Sequence, residues 1–394
     1  MHLIAWRRHS RLLEMSGNEN RLKGWLIAGH YGGQNAGDDA MLVGVLRSVP
    51  SDLLPGTSII ARSDLLPASP CQRVNMSVGA VLGGLNASRG LILGGGTHFQ
   101  DEFSGARAVR HFRYMFRFVL LTMLAYLKGK PVLWLGMGFG PVDRASTRWL
   151  VRFGSRFCRA ITARDAASYE ILKACRPRCE IHHAFDLCPL GFETLGTSAR
   201  ADTRVLGLCP VYCSDTSMSS REQDEAFWGG VGETLAAQLA QDTDLQVKIF
   251  KFRAGERESD SAVVEQLLVT LRAVAADRVS LVAYQPDPAA MFEEVRSCTH
   301  FMSARFHGAM FGWLAGCRLL FVPYHRKVSD LAAEIGLDEH AQWRLDQPHE
   351  PAALAAGFNE LLGDDARYQA AGNRAEVLKR SEKNRALIER WSTV

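Results

Sequence analysis

The sequence predicts an α/β fold made of two Rossmann-like domains that face each other across a cleft. Its 394 residues exceed the roughly 250–300 residues over which a single core usually grows, which favours two domains. Short apolar runs alternate with helical patterns at the spacing expected of parallel sheets. A small, polar stretch from Thr194 to Thr203 interrupts this alternation, which then restarts.

The first half contains the elements of one such domain. Its predicted strands are Trp25–Gly29, Thr57–Ala61, Gly90–Leu93, Val132–Gly136, Ala160–Ala163 and Ile181–Ala184. Its predicted helices cover 38–49, 106–128, 144–159 and 166–175. We therefore expect a charged lead-in over residues 1–23, a first domain over 24–193 and a linker over 194–203.

The second half repeats the pattern, so we assign residues 204–394 to a second domain that includes the C-terminal helices. Its predicted strands are Val205–Pro210, Leu245–Phe252, Val279–Ala283, Thr299–Met302 and Leu319–Val322. Its predicted helices cover 221–241, 259–276, 287–297 and 306–315, and another begins within 328–336. Open α/β sheets bind ligands at the carboxyl ends of their strands, so the loops that follow strands are the candidate functional segments.

The charge of the chain is divided unevenly. Residues 1–190 contain 24 Lys and Arg against 13 Asp and Glu, a net charge of +11, whereas the remainder has a net charge of −7. This asymmetry predicts that the first half faces an anionic partner, such as nucleic acid, a membrane surface or a phosphorylated ligand. Nucleic acid is disfavoured because no interleaved aromatic platform or known binding module is present.

The composition favours a cytoplasmic protein. Nine scattered cysteines indicate reduced thiols rather than a disulfide framework. The N-terminal residues lack the apolar core of a secretory signal. The most apolar helical stretch, 116–127, is shorter than the roughly 20 residues needed to cross a bilayer.

Two glycine-rich segments follow strands of the first domain. The segment GHYGGQNAGDDA, residues 29–40, combines glycines with Asn35 and an aspartate pair that begins at Asp38. It matches neither the P-loop nor the dinucleotide-binding spacing, and a simple helix turn capped by Asp38 is the alternative. The segment GGGTHFQD places Gly94, Gly95 and Gly96 where free backbone N–H groups could bind an anion. Asp101 at its end is a candidate base, with a helix cap as the alternative.

Basic side chains follow three further strands. Arg305 and His307 lie two residues apart after a strand of the second domain, a spacing that puts a guanidinium and an imidazole on the same side. Lys327 ends the basic segment Tyr-His-Arg-Lys after the next strand. Arg164 follows a strand of the first domain, where an ion pair with its neighbouring aspartate is the alternative. Together they predict a phosphate or carboxylate site.

Two stretches of the first half present arginines at helical spacing. A solvated face is one interpretation, and contact with anionic lipid headgroups or a lipid diphosphate is the other. The arginines are Arg107, Arg110, Arg113 and Arg117 in one stretch and Arg144, Arg148, Arg152 and Arg156 in the other.

In the order and spacing of six segments, the chain resembles the polysaccharide pyruvyl transferase family. The segments are GHYGGQNAGDDA, GGGTHFQD, GMGFGP, ARDAAS, MSARFHGAMFGWLAGC and PYHRKV, which together span about residues 24–337. The resemblance implies a GT-B-like fold and transfer of the enolpyruvyl group of phosphoenolpyruvate to a sugar with release of phosphate. It also implies that Arg305, His307, Lys327 and Arg164 lie at the donor site.

These observations lead to a set of expected roles. We expect His307 to act as the general acid and Asp101 or Asp38 as the base on a sugar hydroxyl. Arg305, Lys327, Arg164 and the three glycines 94–96 are expected to bind the donor. The acceptor-side candidates are Asn35, His98, Arg148 and Arg152. His98 and Phe306 depart from the residues common in the family, which bears on the acceptor rather than the donor.

The expected partners are phosphoenolpyruvate as co-substrate, a sugar or lipid-linked oligosaccharide acceptor, and an anionic surface at the inner face of the cytoplasmic membrane. No cofactor and no metal are expected. Two alternatives stay open: a GT-B glycosyltransferase that uses a nucleotide sugar, and a non-catalytic protein that binds anions.

Overall fold

A computed structural model of the protein describes residues 22–192, 203–216, 219–255, 260–345, 347, 349–363 and 365–393. It contains two β-sheets in which every pairing between strands is parallel, which confirms the α/β class. The predicted lead-in over 1–23 and the predicted linker over 194–203 lie almost wholly outside the described residues. The domain boundaries therefore stay predictions.

The first sheet has seven strands in the order β3-β2-β1-β4-β5-β6-β7. The strands are β1 Trp25–Ala28, β2 Ser58–Ile60, β3 Gln72–Val74, β4 Gly90–Phe99, β5 Val132–Phe139, β6 Ala160–Ala163 and β7 Glu180–His183. The helices between them are α1 Ala36–Ser48, α2 Val78–Ala87, α3 Gly105–Leu127, α4 Ala145–Ser155 and α5 Ala166–Ala174. The central strands are buried except at Thr97 of β4, which explains why they consist largely of continuous apolar runs rather than alternating residues.

The second sheet has five strands in the order β10-β9-β8-β11-β12. The strands are β8 Val205–Cys209, β9 Gln246–Phe250, β10 Val279–Val282, β11 His300–Ser303 and β12 Arg318–Phe321. The helices of this half are α6 Arg221–Gln241, α7 Ser261–Ala275, α8 Pro288–Arg296, α9 Phe306–Ala315, α10 Arg326–Ile335, α11 Pro351–Leu362 and α12 Arg374–Ser392. Glycines with positive φ, Gly316 and Gly336, end α9 and α10 because this conformation strains other residues.

The structure extends the predicted elements in two places. Strand β3 and helix α2 lie in a stretch, residues 62–89, for which the sequence pattern predicts neither. Strand β3 is an exposed edge strand of sequence Gln-Arg-Val, so it lacks the apolar run by which buried strands are recognised. Strands β4 and β5 also continue past the glycines at which they are predicted to end.

Helix α1 and the C-terminal helix join the two halves of the chain. The backbone N–H of Ala36, at the start of α1, donates to the carbonyl of Phe252, which follows β9. Helix α12, which the sequence analysis assigns to the second domain, contacts strands β5 and β6 of the first sheet as well as helix α10 of the second half. Within it, Ser392 accepts a hydrogen bond from the indole of Trp25 at 3.0 Å, and Asn384 accepts one from Thr162 at 2.6 Å. Because α1 contacts elements of both sheets, loops from the two sheets meet at its N-terminus.

Candidate functional site

His307 lies at the start of α9, beside a buried carboxylate from the other sheet. Its Nε2 atom is 3.8 Å from Oδ1 of Asp186, which is 1% exposed and follows β7. Burial by itself raises the pKa of Asp186, but the adjacent His307 and Arg164 and the N–H of Cys188 hold it below its ordinary value. Asp186 is therefore a buried anion that lies beside the imidazole of His307.

The imidazole of His307 also lies directly against the N-terminus of α1. A Cβ atom added at Gly37 would be 2.1 Å from Nδ1 of His307, so only glycine leaves room for the ring in its present position. Asn35 caps this helix, since its side chain accepts from the N–H of Gly37 at 3.1 Å. The alternative in which Asp38 forms the cap is therefore wrong.

Asp38 faces the same cluster of basic side chains. Its carboxylate accepts a hydrogen bond from the amide of Asn35 at 2.9 Å. Burial raises the pKa of Asp38, while the nearby His307, Arg253 and Lys327 oppose that rise. The structure thus brings Asn35 and Asp38 together with the predicted donor-site residues, on the side of the first domain.

Arg305 is held by an aspartate that the sequence analysis does not single out. Its Nε atom lies 2.9 Å from both carboxylate oxygens of Asp260, and its Nη2 atom donates to Oδ1 of the same residue. Asp260 is 1% exposed, and its Oδ2 also accepts from the N–H of Arg253 at 2.9 Å. This pairing fixes the plane of the guanidinium and leaves Nη1 of Arg305 as its group for an external anion.

Arg164 is almost fully buried between the two halves of the chain. Its Nη2 donates to Thr97 at 3.1 Å, and its Nη1 lies 3.6 Å from Oδ2 of Asp186. Its guanidinium carbon is 4.2 Å from the ring centroid of Phe306, the residue between Arg305 and His307. The predicted ion pair with Asp165 is also present at 3.5 Å. Arg164 is therefore a buried member of the cluster whose position is fixed by Thr97 and Asp186.

Lys327 completes the cluster from the start of α10. Burial, together with the positive charges of Arg164 and Arg305, lowers the pKa of Lys327 to about 8. Because the charges of both arginines lower this pKa, Lys327 lies within electrostatic range of Arg164 and Arg305. Its neighbour His325 is not part of an anion site, because its Nε2 donates to Glu102 at 2.8 Å and its Nδ1 accepts from the N–H of Lys327.

The three consecutive glycines are part of β4 rather than of a free loop. Gly94 and Gly96 pair with Leu135 and Met137 of β5. Gly95 and Gly96 have φ angles of 63° and 90°, a conformation that favours glycine. A Cβ at Gly95 would lie 2.3 Å from the sulfur of Met41 in α1. The glycines therefore allow α1 to approach the sheet, and donor binding by their N–H groups stays a prediction.

Asp101 and His98 occupy positions that differ from their expected roles. Asp101 accepts from the N–H of Arg144 at 2.7 Å and from the hydroxyl of Thr147 at 2.5 Å, so both of its oxygens cap α4. His98 is 0% exposed, and both of its ring nitrogens are bonded within the protein. Because the His98 ring is fully buried, direct contact of His98 with an acceptor is wrong in this structure.

Arg148 and Arg152 lie on α4, outside the cluster. The guanidinium of Arg148 donates to the carbonyl groups of Val142 and Asp143. Helix α4 packs against α3, and neither helix contains Asp or Glu. Large apolar side chains on the two helices are also exposed: Val109, Phe116, Leu120, Tyr126, Leu127 and Trp149. The two helices thus present a surface that is both basic and apolar.

Sequence reasoning missed the acidic members of the site, Asp186 and Asp260, and a contact between Asp39 and Tyr284. The hydroxyl of Tyr284, which follows β10, donates to the carboxylate of Asp39 in α1 at 2.7 Å. Burial raises the pKa of Asp39 to about 8, although this hydrogen bond opposes the rise. The sequence does contain a signal for Asp186, because this residue lies shortly after a strand. Its partner His307 is 121 residues further along the chain and could not be inferred from spacing.

The cluster can bind a compact anion with several charges and can exchange a proton with it. Arg305 and Lys327 supply positive charge, and the His307–Asp186 pair supplies a titratable group. Among the described residues, no three His, Cys, Asp or Glu side chains are placed to hold a metal ion.

Comparisons with known proteins agree with this architecture. The chain matches the family described as polysaccharide pyruvyl transferase over residues 35–326. Comparison with curated proteins by sequence finds no match.

Solved structures of GT-B type enzymes share the fold. The UDP-GlcNAc 2-epimerase from Methanocaldococcus jannaschii superposes with a TM-score of 0.56 at 9% identity, over 93% of this chain and 100% of that one. The enzyme of the same name from Neisseria meningitidis, bound to UDP-GlcNAc, gives 0.55 at 10% identity, over 95% and 100%. Anabaena HepE, in complex with UDP and glucose, gives 0.53 at 12% identity, over 94% and 100%. At these identities the likeness concerns the fold alone.

Proposed function

Since the chain belongs to the polysaccharide pyruvyl transferase family, we propose that it moves the enolpyruvyl group of phosphoenolpyruvate onto two hydroxyls of a sugar. The product is a pyruvate ketal on a precursor of an exopolysaccharide or cell-wall glycan, and phosphate is released. The donor binds between the two sheets, at the cluster formed by Arg164, Arg305 and Lys327.

The observation that carries this proposal is the convergence of three cations on one titratable pair. Phosphoenolpyruvate concentrates the charge of a phosphate and a carboxylate within a few bonds, so it requires cations that lie close together. Asp260 orients Arg305 through hydrogen bonds. The positive charges of Arg164 and Arg305 lower the pKa of Lys327. Such preorganised charge stabilises the departing phosphate without rearrangement during the reaction.

The proton balance of the reaction gives His307 a role. The donor methylene carbon C3 gains one proton, and two sugar oxygens replace phosphate at C2. His307 supplies the proton to C3 and is returned to its protonated form beside Asp186, 3.8 Å away. Over the whole reaction the two hydroxyl protons are balanced by the proton on C3 and the proton carried away by phosphate.

A transfer assay tests the proposal. Phosphoenolpyruvate labelled with carbon-13 at C3 is incubated with the protein and a panel of free and lipid-linked glycans. We expect phosphate release that depends on one acceptor, together with conversion of the vinyl signal into a ketal methyl signal by NMR. Transfer of a sugar from UDP-sugars, with phosphoenolpyruvate left intact throughout the panel, would contradict the proposal and favour a glycosyltransferase.

Donor binding is expected to weaken as the pH rises through the pKa of Lys327. Burial and the two arginines lower that pKa to about 8, so Lys327 is charged below about pH 8 and loses its charge above it. If only the charged form binds, affinity for phosphoenolpyruvate falls by about tenfold between about pH 7 and pH 9. Calorimetry across this range measures the slope.

The matched variant is Lys327→Arg, whose guanidinium stays charged throughout. We expect its affinity to be nearly constant over the same range. An identical decline in the variant would assign the pH dependence to another group.

The acceptor is proposed to be lipid-linked, with the protein resting on an anionic membrane surface. The support is the surface of α3 and α4, which presents exposed arginines and large apolar side chains such as Trp149 and Leu127, 55% and 68% exposed. Arginine with aromatic and aliphatic side chains suits the headgroup boundary of an anionic bilayer. Among the described residues, no helix is long and apolar enough to cross a membrane.

Vesicle sedimentation tests this surface. We expect the protein to bind vesicles containing phosphatidylglycerol, to bind pure phosphatidylcholine vesicles weakly, and to be released as NaCl rises from about 0.1 M to about 0.5 M. The double variant Arg113→Glu/Arg117→Glu should bind about tenfold more weakly or worse, since each charge contributes about 1 kcal/mol. The control Arg272→Glu/Lys379→Glu reverses two exposed charges elsewhere; equal loss in both would contradict the assignment.

A further inference from the structure

A series of hydrogen bonds links the fully buried His98 through Tyr114 to the half-buried His30. Nε2 of His98 lies 2.6 Å from the carbonyl oxygen of Gly95. The hydroxyl of Tyr114 lies 2.7 Å from Nδ1 of His98 and 2.7 Å from Nε2 of His30. The three side chains come from β4, α3 and the loop after β1.

The direction of each hydrogen bond follows from the first. A carbonyl can only accept, so Nε2 of His98 carries the proton and the neutral ring has a bare Nδ1. Tyr114 donates its single hydroxyl hydrogen to that nitrogen. Its oxygen then accepts from Nε2–H of His30. The neutral form of His30 therefore has its lone pair on Nδ1.

The hydrogen-bonded series is fully buried at His98 and half-buried at His30. His98 is 0% exposed and stacks on His30, with ring centroids 4.7 Å apart. His30 is parallel to Tyr114 within 8°. Nδ1 of His30 lies beside Gly96, where an added Cβ would be 3.6 Å away. Gly96 thus places no side chain beside the bare nitrogen.

The surroundings keep His30 neutral. Burial, together with the neighbouring His98, Arg62 and Arg253, holds the pKa of His30 well below its ordinary value. The loop that holds His30 leads into α1, whose first turn contains Asp38. A neutral imidazole with a fixed tautomer and a bare nitrogen can accept a proton from a hydroxyl that is placed against it.

We propose that His30 is the general base that removes the proton from the attacking sugar hydroxyl, and that Tyr114 and His98 are positioning residues that fix its tautomer. The inference rests on the proposed pyruvyl transfer. The hydroxyl oxygen bonds to C2 of the donor while its proton passes to Nδ1 of His30, and C3 gains a proton from His307. In the second addition, a new oxygen–C2 bond forms as the C2–phosphate bond breaks, its electron pair leaves with phosphate, and the hydroxyl proton departs with it. The proton held on Nδ1 of His30 is released to solvent and His307 takes one up, which restores both groups.

His30 is favoured over the two aspartates of the sequence analysis for this role. Asp101 is occupied in capping α4. Asp38 is buried among charged groups of the donor cluster, since His307, Arg253 and Lys327 oppose the rise in its pKa that burial causes. His30 is the group of this loop that a buried relay orients.

The first arm of the test uses the full chain and methyl pyranosides as acceptor probes, with phosphate release from phosphoenolpyruvate as the readout. His30→Ala is expected to lose about 10²–10⁴-fold in kcat, to bind phosphoenolpyruvate normally, and to regain part of its turnover with added imidazole. Tyr114→Phe, which keeps the ring and breaks the relay, should lower kcat less and gain nothing from imidazole. The control is His182→Ala, because His182 is a half-buried histidine that takes no part in the hydrogen bonds between His98, Tyr114 and His30. Normal turnover by His30→Ala, or a loss that imidazole does not restore, would overturn the role of His30.

The second arm is nitrogen NMR at about pH 7 on protein labelled in histidine, with His30 assigned by comparison with His30→Gln. We expect Nδ1 of His30 and Nδ1 of His98 to be unprotonated. Protonation of Nδ1 of His30 would overturn the inference even where no probe is turned over. Failure of the unmodified protein to bind phosphoenolpyruvate would instead overturn the proposed function.

Discussion

Replacing His307 with glutamine is expected to lower kcat for pyruvyl transfer by about 10²–10⁴-fold, the usual contribution of a general acid. Glutamine retains a polar side chain of similar length but cannot deliver a proton to C3. Affinity for phosphoenolpyruvate should change by less than about threefold, because Arg305 and Lys327 supply most of its attraction. Steady-state kinetics and calorimetry on the same preparation separate the two effects.

The variant Asp186→Asn tests the other member of the His307–Asp186 pair. Its Oδ1 atom is 3.8 Å from Nε2 of His307 and also accepts from the N–H of Cys188. The amide keeps the shape but removes the negative charge beside the imidazole, so kcat should fall while donor binding persists. The histidine control is His182→Gln, which should be fully active. Unchanged kcat in His307→Gln would show that another group delivers the proton.

Substitution of Gly37 by alanine is expected to lower kcat by about a hundredfold, although it removes no functional group. The new methyl carbon would lie 2.1 Å from Nδ1 and 2.3 Å from Cγ of His307, so the imidazole must move. A displacement of about 1 Å at a catalytic group can cost this much. The kinetic constants report the displacement, and the melting temperature reports whether the fold survives.

Gly83→Ala is the matched control for that substitution. Gly83 lies within α2, and a Cβ there meets nothing within 4 Å. Because alanine is the better helix former by about 1 kcal/mol, the control should be fully active and slightly more stable. Equal activity of Gly37→Ala and Gly83→Ala would contradict the close packing of His307 against α1.

The parallel sheets were predictable from sequence because their central strands are buried on both faces. Buried strands require uninterrupted apolar runs, and these give most of the predicted strands close to their observed bounds. Arg305, His307 and Lys327 are brought together for the same reason, since each follows a strand and parallel strands end at one edge. The edge strand Gln72–Val74 carries no such run and has no comparable signal.

The remainder of the site depends on contacts between distant parts of the chain. Asp260 precedes Arg305 by 45 residues, and no local pattern indicates that the two pair. Asp101 follows a glycine-rich strand as a catalytic residue would, yet its direction is set by the N-terminus of α4. Spacing predicts which edge of a sheet a side chain occupies, but it does not predict which neighbour that side chain contacts.

The most direct test of donor identity is calorimetric titration of the protein with phosphoenolpyruvate, and separately with UDP-GlcNAc. The variant for comparison is Arg305→Lys, which keeps the charge but loses the planar fork that Asp260 orients. We predict that phosphoenolpyruvate binds, that Arg305→Lys weakens its binding by about tenfold or more, and that UDP-GlcNAc neither binds nor competes. Binding of UDP-GlcNAc at this site, with no binding of phosphoenolpyruvate, would contradict the account.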